Sequence, residues 1–124
     1  MSGFLLDTQI VLWMLQEPHR LSGTVRRIIT DEPGLFVSAA SLWEIETKRQ
    51  INKLQVEGDV RSPLEAFGLQ ELPITWRHAQ AVGRLPLIHR DPFGRILAAQ
   101  ALADDLTLVT ADRDLARYPI RTLF

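Results

Sequence analysis

Five short strand candidates are spaced along the 124 residues: the apolar Phe4-Leu5-Leu6 and Leu35-Phe36-Val37, then Leu69 to Ile74, Leu106 to Val109 and Ile120 to Phe124. Helical patterns fill the intervals. Apolar runs too short for helices fit strands buried on both faces, and such strands belong to parallel sheets joined by helical crossovers. After a sharp turn at Asp7-Thr8, Ile10 to Leu15 continue as a mostly buried helix. Ser22 caps a second helix with Val25, Ile28 and Ile29 at helical spacing, ending before Pro33-Gly34. Ser38 opens a third through about Gln50, and Ser62-Pro63 reads as cap and first residue of a short helix ending near Gly68. Thr75 to Arg84 reads as helical, Pro86 to Arg90 as loop, and Asp91-Pro92 as cap and first residue of a helix reaching about Asp104. The small apolar face of that last helix, Ile96, Leu97, Ala99, Ala101 and Leu102, suits contact with a sheet. The expected fold is an α/β sandwich around a largely parallel, five-stranded sheet.

No repeat, low-complexity tract or Gly/Ser linker interrupts this pattern, so residues 1–124 are expected to form one domain. The absence of cysteine excludes zinc-ribbon and thiol chemistry and suits a reducing cytoplasm. The first residues lack a basic stretch and their apolar run breaks at Asp7, so no signal peptide is expected, and no apolar run is long enough to span a membrane. A net charge of −1 argues against a domain that holds nucleic acid by bulk electrostatics alone. The bases are nonetheless 12 Arg and 2 Lys, and arginine is the better fork for phosphate or carboxylate.

In open α/β sheets ligands bind beyond the carboxyl ends of the strands. Asp7 follows the first strand, Glu44 lies on the helix after the second, Asp91 opens the helix before the fourth, and Asp112 lies three residues after the fourth. Carboxylates converging on one spot need a cation among them. Oxygen ligands without cysteine or clustered histidine suit Mg²⁺ or Mn²⁺. Bound water can then act as nucleophile in phosphodiester hydrolysis. Each acid also has an ordinary structural reading. Asp7 and Asp91 suit helix caps; Glu44 suits a capping box with Ser41 or a surface pair with Lys48; Asp112 and Asp114 suit a turn.

The same residues carry a family resemblance. Leu5-Leu6-Asp7-Thr8, Val37-Ser38-Ala39-Ala40-Ser41-Leu42-Trp43-Glu44-Ile45, His89-Arg90-Asp91-Pro92-Phe93 and Leu108-Val109-Thr110-Ala111-Asp112-Arg113 resemble, in order, the motifs of PIN-domain ribonucleases, above all the VapC toxins of bacterial toxin–antitoxin modules. The likeness runs from Gly3 to Phe124. It implies a three-layer α/β/α fold, endonucleolytic RNA cleavage dependent on Mg²⁺ or Mn²⁺, and inhibition by a cognate VapB antitoxin. It also implies toxin homodimers and toxin–antitoxin hetero-oligomers. By this resemblance Asp7, Glu44 and Asp112 match the first, second and fourth metal-binding acids, and Thr8 and Thr110 match hydroxyl residues beside them. Where the family usually carries the third acid, this chain has Gly94. Asp91 as a substitute carboxylate, a weakened or inactive nuclease, and a detoxifying change each account for that departure. A catalytically inactive module that binds its antitoxin is therefore the alternative function.

Arg90, Arg95 and Arg113 flank the acids and are candidates for RNA phosphates, as are Lys48, Arg49 and Lys53 for an RNA-side rim. Each set also reads as ordinary surface charge. His89 is read as structural before proton relay, and Trp13, Trp43 and Trp76 as core or partner packing. Trp13, Met14, Leu15, Ile28 and Ile29 exceed what one small sheet can be expected to cover, and mark a partner surface. A phosphoacceptor receiver domain shares the size and the acids at strand ends. It requires an acidic pair after the first strand and a lysine after a late one, whereas both lysines here lie between positions 48 and 53.

Overall fold

The structure is a computed structural model that describes residues 3–88 and 90–124. Its strands are β1 (Phe4–Leu6), β2 (Leu35–Ser38), β3 (Gln70–Leu72), β4 (Thr107–Val109) and β5 (Thr122–Leu123). Its α-helices are α1 (Thr8–Gln16), α2 (Gly23–Asp31), α3 (Ala39–Gln50), α4 (Arg61–Ala66), α5 (Trp76–Val82) and α6 (Pro92–Asp104). The sheet order is β3-β2-β1-β4-β5, and every neighbouring pair is parallel, as in Leu5 opposite Phe36 and Leu108.

Alternation along the strands divides the core into two layers. Leu6, Leu35, Val37 and Val109 pack with Ile10, Val11 and Met14 of α1, Val25 and Ile28 of α2, and Leu64 of α4. Leu5 and Leu108 face the other way, onto Ala81 of α5 and Leu97, Ala98 and Ala101 of α6. With helices on both faces, the three central strands β1, β2 and β4 are largely buried, which is why they read as apolar, whereas the edge strand β3, Gln70-Glu71-Leu72, is mostly exposed. The sheet can draw close at its amino-terminal edge because Gly3 and Gly34 meet there: a Cβ on Gly3 would stand 2.7 Å from the Gly34 carbonyl oxygen.

Several boundaries follow the expected signals. Ser22 Oγ accepts from the Val25 amide, Ser38 Oγ from that of Ala40, and Asp91 Oδ1 from that of Phe93. The α4 start differs from expectation. Asp59, not Ser62, gathers the free amides of Arg61 and Ser62 and accepts the Ser62 hydroxyl as well, so Ser62 and Pro63 lie inside the helix. A carboxylate offers two acceptor oxygens and the more favourable charge at a helix start. Gly68, at φ +83°, then turns the chain into β3. β3 is shorter than the expected Leu69 to Ile74, because Pro73 has no amide to continue the ladder.

The apolar candidates divide between core and surface. Trp76 is 91% exposed and Trp43 60%, so only Trp13 of the three tryptophans packs against the core. Trp43 instead meets Phe93 edge to face at 4.8 Å, tying α3 to α6. The first two helices are better covered than their composition suggests: Met14 and Ile28 are buried, and Trp13, Leu15 and Ile29 pack against the same core. Leu54 and Val56, from the chain after α3, supply the cover.

Candidate functional site

The chain runs outward through β1, β2 and β3 on one side of the sheet and through β4 and β5 on the other, so the crossover direction reverses between β1 and β4. A crevice at the carboxyl ends of such neighbours is the expected ligand position. Asp7 sits there because its amide donates to the Val109 carbonyl at 3.0 Å, extending the β1–β4 ladder by one step before α1 begins.

Asp7 holds the cap position of α1, yet its side chain makes no capping bond. Its Oδ2 accepts from the Thr110 hydroxyl at 2.7 Å. At 9% exposure this carboxylate is almost removed from water. Burial pushes its pKa from 3.8 up to about 6, against the Thr110 bond and the Thr8 amide, and the Glu44 and Asp112 charges push it further the same way. Among the described residues no cation forms an ion pair with Asp7.

Glu44 projects from α3 at 8% exposure. The expected capping box does not form, since the helix starts at Ser38 and Ser41 lies within it, accepting from the Thr8 hydroxyl at 2.9 Å. The Thr8 hydroxyl thus braces α1 against α3, whereas the Thr110 hydroxyl donates to an acid, Asp7. The Glu44–Lys48 pair does form, at 2.6 Å between Oε2 and Nζ, but facing a cavity rather than open solvent. The Glu44 charge beside it holds the Lys48 ammonium above its ordinary pKa, with Asp91 and Asp7 adding to the effect.

Asp112 is exposed and shaped by a turn: its amide donates to Thr110 Oγ1 at 3.0 Å and its Oδ1 accepts from the Asp114 amide at 2.8 Å. Asp91 caps α6, and Gly94 is buried in the first turns of that helix. The structure brings Asp7, Glu44, Asp91, Gly94 and Asp112 to the wall of one cavity of about 510 Å³, together with Thr8, Lys48 and Lys53.

The basic candidates divide. Lys48 and Lys53 line the cavity, whereas Arg49 turns to the Gly58 carbonyl at 3.1 Å and to Glu46. Arg90 and Arg113 are exposed. Arg95 is not a rim residue: its guanidinium donates to the Pro86 and Val82 carbonyls at 2.9 and 3.2 Å and to the Tyr118 hydroxyl at 3.2 Å. That corrects the expectation of a phosphate contact, because these bonds direct the fork toward the loop before α6. His89 lies outside the described residues. Signals of two further polar groups were present in the sequence without pointing to their partners: buried His78 bonds Asp104 at 2.8 Å and locks α5 onto α6.

The acids share a cavity without forming a closed ligand set. Among the described residues, no three acidic or histidine side chains stand near enough to hold an ion as they are placed. Like charges repel, Lys48 draws Glu44 aside, and the turn at Asp112 engages its carboxylate. The donor chemistry nevertheless fits a divalent cation: all-oxygen, anionic, and centred on a buried carboxylate that has no counter-ion among the described residues. Among the described residues, no helix is long and apolar enough to cross a membrane.

Comparison with known proteins agrees with this geometry. The model of the PIN domain matches residues 4–121. The chain is 30% identical over 121 residues to Ribonuclease VapC22 of Mycobacterium tuberculosis, covering 95% of this chain and 93% of that protein. Its fold is similar to that in the crystal structure of DNA-bound VapBC from Salmonella typhimurium, with a TM-score of 0.75, 20% identity, and coverage of 99% of this chain and 98% of that one. VapBC2 from Rickettsia felis, bound to a promoter DNA fragment, gives a TM-score of 0.74 at 18% identity, with 98% of each chain covered. From Phe4 onward, then, the order of the acids, the parallel sheet and the sequence match agree, and the chain belongs to the PIN-domain family as a VapC-type ribonuclease.

Proposed function

We propose that the chain is the toxin of a toxin–antitoxin pair and cuts RNA endonucleolytically with Mg²⁺ or Mn²⁺. The observation that carries this reading is the cavity at the β1–β4 switch point, lined by Asp7, Glu44 and Asp112, in which the buried Asp7 carboxylate has no ion-pair partner among the described residues. Those three residues hold the ion. When bound, a divalent ion activates water and offsets charge on the leaving oxygen of the phosphodiester.

The protein's own groups supply the rest. Thr110 keeps one Asp7 oxygen oriented and fixes the Asp112 turn through its amide. Lys53, at the cavity wall, and the exposed Arg90 and Arg113 attract RNA phosphates that the acids would otherwise repel. A VapB-type antitoxin is the partner, in a hetero-oligomer with toxin dimers, and the bacterial cytoplasm is the setting. A basic antitoxin side chain entering the cavity competes with the metal for the acids.

Gly94 favours a second reading. It occupies the cavity wall where the family usually offers an acid, so the chain as it stands is either impaired or a non-cutting module that binds its antitoxin. The deciding experiment compares Gly94→Asp with the present chain for Mg²⁺-dependent cleavage of RNA. A gain in cleavage of at least about tenfold, the scale of one lost charged contact of roughly 1.4 kcal/mol, identifies position 94 as limiting. No gain overturns that role for position 94. Cleavage absent from both chains, with antitoxin binding retained, supports the non-cutting module.

A further inference from the structure

We propose that Lys48 is the resident counter-cation of the carboxylate cavity, holding Glu44 in the metal-free chain, and that a divalent ion must displace it to engage Glu44. This rests on the reading that Asp7, Glu44 and Asp112 receive such an ion.

Three observations carry it. The Lys48 ammonium lies 2.6 Å from Glu44 Oε2, and both residues line the cavity. Glu44 is buried, so its charge requires a partner, whereas the Lys48 side chain is 44% exposed and keeps a path to solvent. The pair is therefore asymmetric: one member is fixed and the other is free to leave. Gly94 adds to this by offering no carboxylate at that wall, so an entering divalent ion, drawn to acids more strongly than an ammonium is, has one fewer ligand with which to displace Lys48.

The pair sits at i and i+4 on α3 with the acid toward the amino terminus, the favourable order on a helix. The arrangement keeps the cavity from holding every acid uncompensated before metal arrives. It also weakens the metal, because an ion entering beside Glu44 meets a positive charge and must separate an existing bond. Lys48 and Lys53 both line the cavity, so an ammonium released from Glu44 is available to an incoming phosphate. Lys48 is thus a positioning residue that acts through Glu44.

The test is Mn²⁺ binding to the full chain by calorimetry and by electron paramagnetic resonance of free Mn²⁺, for the wild type, Lys48→Met, Lys48→Gln and Lys48→Arg. Removing the charge in either neutral variant tightens Mn²⁺ binding by roughly tenfold and lowers the metal-free melting temperature, while Lys48→Arg binds no tighter than wild type. The Gln variant serves if Met at this position prevents folding. A role confined to stability moves the melting temperature alone, so unchanged or weaker Mn²⁺ binding in the neutral variants overturns the proposal. If wild type and neutral variants all bind no Mn²⁺, the metal reading itself fails and this inference fails with it. Binding that Asp7→Asn abolishes but Lys48→Met leaves unchanged removes only the inference.

Discussion

The Thr110 hydroxyl donates to Asp7 Oδ2 at 2.7 Å and accepts the Asp112 amide at 3.0 Å, so one side chain joins two acids 105 positions apart in the sequence, at the ends of neighbouring strands. Removing it has two effects. Thr110→Val deprives a buried carboxylate of its donor and frees the turn that carries Asp112. The expected cost is about 1–3 kcal/mol of stability, with the Asp7 pKa rising further above its ordinary range. Thr110→Ser, which keeps the hydroxyl, preserves both. Chemical denaturation and carboxyl-carbon NMR titration measure the two effects, and an Asp7 titration identical in the valine variant would refute the link.

Burial of Asp7 makes metal-free stability depend on pH in a defined direction. Its carboxyl titrates at 3.8 when unfolded and about 6 when folded, so between those values the folded chain binds more protons. The Asp7 contribution is therefore most favourable below about pH 3.8, falls as pH rises, and is constant above about pH 6. The shift corresponds to about 3 kcal/mol. In chelating buffer, Asp7→Asn should accordingly stabilise the chain by up to that amount above about pH 7 and have little effect near the lower limit, since an amide oxygen still accepts from Thr110. Equal stability differences at both pH extremes would contradict this.

Asp91 offers a separation of cap from ligand. Because Oδ1 accepts the Phe93 amide at 3.0 Å, Asp91→Ala is expected to cost about 1 kcal/mol, and Asp91→Ser to recover most of it. Mn²⁺ affinity should change little in the serine variant. A loss of affinity there, with stability intact, would establish Asp91 as a ligand of the ion.

Arg95 and Arg113 should behave oppositely. Arg95→Ala breaks bonds to two carbonyls and the Tyr118 hydroxyl, with an expected cost of about 1–3 kcal/mol and little change in RNA affinity measured at low salt. Arg113→Ala should leave stability within about 0.5 kcal/mol and weaken RNA binding with a shallower salt dependence. Reversed phenotypes would return Arg95 to the phosphate-contacting set.

Much of this molecule was legible because its signals are local. Ser22, Ser38 and Asp91 cap helices through amides two or three residues away, and a run such as Leu106 to Val109 records burial on both faces in its own composition. The α4 start is not legible in the same way, because Asp59 and Ser62 are both good cap residues and the choice depends on which oxygens the local turn aims at the free amides. Composition leaves core and surface tryptophans undivided, because it counts an apolar side chain without recording which way its helix is turned: Trp13 packs against the core, whereas Trp43 and Trp76 lie at the surface.

The sequence by itself determined the alternation of strand and helix, the positions of Asp7, Glu44 and Asp112 relative to those elements, and the glycine at 94. Only the tertiary structure decided what those residues experience. Glu44 and Lys48 at i and i+4 are compatible with an exposed pair, and packing of α3 beside α1 and α6 turned that pair into a buried acid with a half-exposed partner at the wall of a cavity. Asp7 was compatible with a helix cap until the β1–β4 ladder brought Thr110 against it and removed water from around its charge. Spacing along a chain fixes who can be neighbours within one element, while burial and long-range hydrogen bonds depend on how elements stack.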